Sequence, residues 1–158
     1  MLDNYLNILE DSLTKKLSLL KQIDEVSDVQ TELLKQESLD IKRFDATVDE
    51  KDDFIVELNK LDDGFEALYE KVREELLQNR NKYEQQIKRL QNLIGQITEK
   101  SVSIQAKESR NKAALEKYFM QEKRNIGEGR RSAKAALDYY QNMSNTFSPT
   151  SRFMDQKK

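Results

Sequence analysis

The chain has 158 residues, 35% of them charged, with 27 basic and 29 acidic side chains and a formal net charge of −2, and it holds neither histidine nor cysteine. That composition excludes disulfides, cysteine nucleophiles, histidine general bases and zinc sites built on thiolate or imidazole. With 4 glycines and 1 proline, it favours long helices over sheets, and an elongated bundle with a thin apolar seam over a thick globular core.

The first helix is expected from about Asp3 to Gln36. Leu2, Leu6, Leu9, Leu13, Leu17, Leu20 and Ile23 recur at steps of three and four, the spacing that lines one helix face with apolar side chains. The pattern thins from Val26 to Glu32 and returns at Leu33 and Leu34. Lys15 and Lys16 sit among these leucines, and their stems are expected to cover the seam while the ammonium groups stay in water. Ser38 or Asp40 can then cap a new helix by accepting from its free backbone N–H groups.

The second helix carries Ile41, Phe44, Val48, Ile55, Leu58 and Leu61, and the same phase continues through Phe65, Leu68, Tyr69, Val72 and Leu76. Leu61-Asp62-Asp63-Gly64 between them predicts a kink or a tight break that keeps the rod's direction. Asn79-Arg80-Asn81 reads as the next turn, because asparagine tolerates left-handed backbone angles.

The longest element runs from Asn81 to about Arg124, roughly 65 Å at about 1.5 Å per residue. Tyr83, Ile87, Leu90, Ile94, Ile97, Ser101, Ile104, Glu108, Asn111, Leu115 and Tyr118 alternate steps of four and three without a slip. This is a heptad seam, and it needs an equally long partner from the rest of the chain. It is expected to pack antiparallel against helices drawn from residues 3–76. Its second half puts Ser101, Glu108 and Asn111 at seam positions. Two readings are open: the polar residues fix the register, or that half projects beyond its partner.

Gly127 and Gly129 form a hinge after Ile126. Residues 1–126 therefore read as an antiparallel helical bundle and 127–158 as a hinge and tail. Ala133, Ala136, Leu137, Tyr140, Met143 and Phe147 give the tail an amphipathic helix, with Tyr139 beside the stripe, and Ser148-Pro149 ends it. Methionine and tyrosine suit adaptable contact. The candidate binding residues are thus Leu137, Tyr139, Tyr140, Met143 and Phe147; the bland alternative is that this helix folds onto its own bundle.

Charge is unevenly spread. Residues 24–75 hold 18 acidic and 7 basic side chains, and residues 100–134 hold 10 basic and 4 acidic. Mutual neutralisation of antiparallel neighbouring helices explains this better than a nucleic-acid patch, since the basic stretch lacks interleaved aromatics. The adjacent pairs Asp52-Asp53 and Asp62-Asp63 diverge by about 100° on a helix and read as solvated faces, not as paired acids. No catalytic, metal or cofactor site is read from the sequence. No apolar run reaches membrane-spanning length, and Met1-Leu2-Asp3-Asn4 lacks a secretory pattern. The expectation is a cytoplasmic protein with no membrane insertion, and a homodimer is left open.

Three stretches carry a resemblance: Asp49 to Leu58 (DEKDDFIVEL), Ile97 to Ser101 (ITEKS) and Arg110 to Glu116 (RNKAALE). They resemble segments of the FlgN family of flagellar type III export chaperones, in the same order of elements, over roughly residues 45–118. The resemblance implies a cytoplasmic helical hairpin-like bundle that binds hook–filament junction proteins before export and hands them to an export gate component. It further implies client contact through the C-terminal region and a gate-contacting tyrosine, without choosing between Tyr139 and Tyr140. The rival readings are a structural coiled coil, either scaffold or export-ATPase stalk, and, with much less in its favour, an enzyme built on carboxylates, lysines or tyrosines.

Overall fold

The computed structural model describes residues 2–121. They form three helices: α1 (Leu2–Leu34), α2 (Ile41–Gln78) and α3 (Glu84–Gln121). The all-α bundle expected from the periodicity is what is found. At 38 residues each, α2 and α3 are about 57 Å long.

Local chemistry sets the helix ends. α1 tightens as it stops, the Lys35 N–H reaching both Thr31 O and Glu32 O and the Gln36 N–H reaching Leu33 O. Asp40 caps α2: its backbone is extended and its Oδ1 accepts from the Arg43 N–H at 3.2 Å. Asn79 closes α2, its N–H and side-chain Nδ2 both donating to Glu75 O. The turn into α3 then runs through N–H groups of Lys82 and Tyr83 that donate to Asn79 O. No residue in residues 2–121 has positive φ, so this turn does not use the left-handed conformation expected of its asparagines. Nor does Gly64 break α2, which is continuous from Ile41 to Gln78.

The polar contacts give the helix directions. Glu10 meets Arg89, Asp24 meets Lys100 and Lys107, and Thr31 meets Asn111, so residue numbers on α1 and α3 rise together. Lys16 meets Asp62 and Gln30 meets Thr47, so α1 and α2 run opposite ways. The order is up, down, up. α3 is antiparallel to α2, as expected, but parallel to α1, which it approaches closely along its length. α1 approaches both other helices closely, while the backbones of α2 and α3 come near each other at few points. α1 is therefore the middle of the bundle. Beside its buried seam, Tyr5, Leu19 and Leu34 also pack partly against the core, so it presents a wide apolar face.

The core is one continuous cluster down the rod, from Leu2, Leu6, Leu76 and Tyr83 at one end to Leu33, Phe44 and Leu115 at the other. Every seam position of α3 from Tyr83 to Leu115 is buried, including Ser101, Glu108 and Asn111, and Tyr118 is half-buried. The second half of α3 thus does not project beyond its partners. No described helix is long and apolar enough to cross a membrane.

Candidate functional site

The seams are apolar except at a few polar and charged positions, and the charged ones are paired across helices. Along α2 the steps Phe44, Val48, Lys51, Ile55, Leu58, Asp62, Phe65, Tyr69 follow four and three throughout. Lys51 and Asp62 therefore occupy seam positions. So do Lys16, Ser27 and Gln30 on α1, and Glu108 on α3. A heptad position faces the core whatever residue occupies it.

The main cluster joins all three helices. Lys51 is fully buried, with 0% exposure. Its Nζ donates to Gln30 Oε1 of α1 at 2.8 Å and to Glu108 Oε1 of α3. Ser27 Oγ of α1 donates to the same Glu108 oxygen at 2.6 Å. Gln30 Nε2 donates to Thr47 Oγ1 at 3.0 Å, and Thr47 Oγ1 donates on to Phe44 O. One turn further, Asn111 Nδ2 donates to Ser27 O at 3.1 Å and Asn111 Oδ1 accepts from Thr31 Oγ1 at 2.8 Å. Glu108 Oε2 and Ser101 Oγ are buried without a hydrogen-bond partner, so the layer is not fully satisfied.

Burial pushes the Lys51 ammonium down from 10.5 to about 8, against the opposing pull of Glu108 and, more weakly, of Asp24 and Asp52. Desolvation wins because removing a charge from water costs more than one partner returns. A second charged layer lies higher in the rod, where Lys16 Nζ meets Asp62 Oδ1 at 2.7 Å. Burial holds the Asp62 carboxyl above its ordinary range although Lys16 opposes it, and Asp63 and Glu66 add to the rise. Lys16 is 3% exposed, so its ammonium is not in water as expected, whereas Lys15 is exposed. Asp62 is likewise half-buried and paired, not part of a solvated face.

Outside the core, Lys107 reaches Asp24 at 2.7 Å and Asp28 at 2.8 Å, and Lys100 reaches Asp24 at 3.2 Å. Partial burial works against the Asp24 carboxylate, but the two lysines prevail and hold its pKa down. The acidic and basic regions of the sequence do meet here, but between the parallel helices α1 and α3 rather than the antiparallel pair expected.

The residues expected to bind a partner, Leu137, Tyr139, Tyr140, Met143 and Phe147, lie outside the described residues, as do the glycine hinge and the last residues of the first domain. Sequence reasoning placed Glu108 on the seam but missed its partner. The signal was the unbroken spacing of Val48, Lys51 and Ile55, which puts a lysine where a leucine would serve. Among the described residues no group of three or more acidic side chains is arranged to hold a metal ion. What the cluster can do is set alignment: an ion pair and five amide or hydroxyl groups meet only when three long helices are correctly registered.

No family model, curated protein or solved structure matches the chain. Within the strings that carry the resemblance, Lys51, Ile55, Leu58, Ile97, Ser101, Asn111 and Leu115 are buried, while most of the charged residues between them are exposed.

Proposed function

We propose that the chain is a cytoplasmic export chaperone of the kind its resemblance implies, binding flagellar hook–filament junction proteins, keeping them unassembled and delivering them to the export gate. The observation that supports this reading is the closure of the rod. The seams of α1, α2 and α3 are buried in one shared core. The sequence carries one further amphipathic pattern beyond these seams, Leu137, Tyr140, Met143 and Phe147 with Tyr139 beside it. An unassembled client exposes an apolar helix face, and an amphipathic helix is the complementary surface.

The test is capture of purified hook–filament junction proteins, the filament cap and flagellin by the full chain and by a chain lacking residues 130–158. The expected result is capture of a junction protein by the full chain alone, with little change in melting temperature on truncation. Capture of flagellin or the cap alone points to another class of export chaperone. Binding to none of them leaves the scaffold reading. A truncated chain that still binds moves the site onto the rod.

A further inference from the structure

The two ends of the bundle are built differently. At the upper end, α2 and α3 are joined by the turn at residues 79–83, and the α3 seam is Tyr83, Ile87, Leu90, Ile94 and Ile97, all apolar and buried. At the lower end, residues 35–40 join α1 to α2, and among the described residues no loop ties α3 to either of them there. From Ser101 onward the buried seam of α3 keeps only Ile104 and Leu115 as apolar anchors, beside Ser101, Glu108 and Asn111. Tyr118 and Phe119 add partly buried apolar contact near its end, and the remaining attachment is polar. Glu108 is held by Lys51 and Ser27, Asn111 by Ser27 O and Thr31, and Lys100 and Lys107 by Asp24 and Asp28. The α1–α2 hairpin has its own bonds at this level: Lys51 to Gln30, Gln30 to Thr47, and the apolar group Leu33, Leu39, Phe44 and Val48. It would keep those bonds if α3 left.

We propose that α3 from Ser101 onward is a latched arm, which parts from the α1–α2 hairpin as one unit while the upper half of the bundle stays packed. Three features favour it physically. Fewer buried apolar side chains hold the arm than hold residues 83–97, and local opening follows the density of such contacts. The buried Glu108 Oε2 and Ser101 Oγ, unpartnered in the closed form, regain water when the arm opens. The ion pairs that close it are partly exposed, so salt weakens them, the Asp28 pair most. The opened arm uncovers the Phe44 and Val48 face of the hairpin together with its own Ile104 and Leu115. The inference does not depend on which partner the chain binds.

Amide hydrogen exchange of the full chain, resolved along α3, tests the arm. Residues 104–115 are expected to exchange at one common rate, about tenfold or more faster than residues 87–97, with the step near Ser101. Raising salt to about 0.5 M widens the step by screening the latch. Lys51→Met with Glu108→Met replaces the polar pair by apolar contact and slows the arm toward the rate of residues 87–97. Asp24→Asn removes the Lys100 pair and one of the two Lys107 pairs, leaving Lys107 on Asp28, and speeds it, and this variant decides the matter if the double variant does not fold. A smooth rise in exchange toward Gln121 without a step is ordinary end fraying and overturns the proposal. So does a step that the folded variants leave unmoved.

Discussion

Replacing Lys51 by methionine isolates what the buried polar layer costs and what it specifies. The side chain keeps its length and loses its charge, and Glu108 is left 5% exposed with no cation beside it. Breaking a buried pair from one side typically costs about 3–5 kcal/mol, and Lys51→Met is expected to fall in that range. Removing both partners with Lys51→Met and Glu108→Met is expected to recover nearly all of it, because no uncompensated charge remains and methionine fills irregular space. The wild-type pair is itself expensive. Burial lowers the Lys51 pKa from 10.5 to about 8 although Glu108 opposes the change, so the folded chain holds the lysine proton less readily than the unfolded chain. The sign of the pH dependence follows. Below pH 8 both the folded and unfolded chains carry the proton and the full cost is present. Between 8 and 10.5 the folded chain has released the proton while the unfolded chain still binds it, so stability rises with pH. Urea unfolding at pH 7.5 and 9.5 is expected to show a gain of about 2 kcal/mol in the wild type and none in the double variant. The Tyr69 hydroxyl and Lys107 ammonium, both raised above their ordinary values of 10.0 and 10.5, add their changes above this window. A single variant costing less than about 1 kcal/mol, or a double variant no better than the single, would refute the reasoning.

Ile94→Asp places a carboxylate at a position 1% exposed and is expected to cost several kcal/mol, roughly 4, through a lost apolar contact and an unpaired buried charge; a melting temperature unchanged by circular dichroism would contradict the α3 seam. Gly64→Ala and Gly95→Ala are expected each to stabilise by about 0.5–1 kcal/mol, since both glycines lie inside helices and an added Cβ meets nothing within 4 Å. Chemical denaturation of each variant reads this directly, and a loss of stability would mean that the helix bends at that glycine.

Three helices, their seams and most of the core could be read from spacing, because a step pattern of four and three is a local property: it fixes which side of a helix is apolar before any partner is chosen. Thus Ile87, Leu90, Ile94 and Ile97 could be named as core in advance, and the polar seam positions Ser101, Glu108 and Asn111 were visible as positions. The same local character limits what spacing can say. It does not state which helix faces which, so the parallel pairing of α1 with α3 follows only from the assembled up-down-up order. It does not say that Asp62, beside Asp63 and Gly64, sits under Lys16, because helix propensity near a glycine hides a seam that continues through it. And it does not give the state of Lys51, whose chemistry depends on the water it has lost and on Glu108, 57 residues away. Heptad spacing turns a residue toward the core; only the tertiary structure brings an opposite charge to the same level, and at low local dielectric that meeting decides whether the buried charge fixes the register or breaks the bundle.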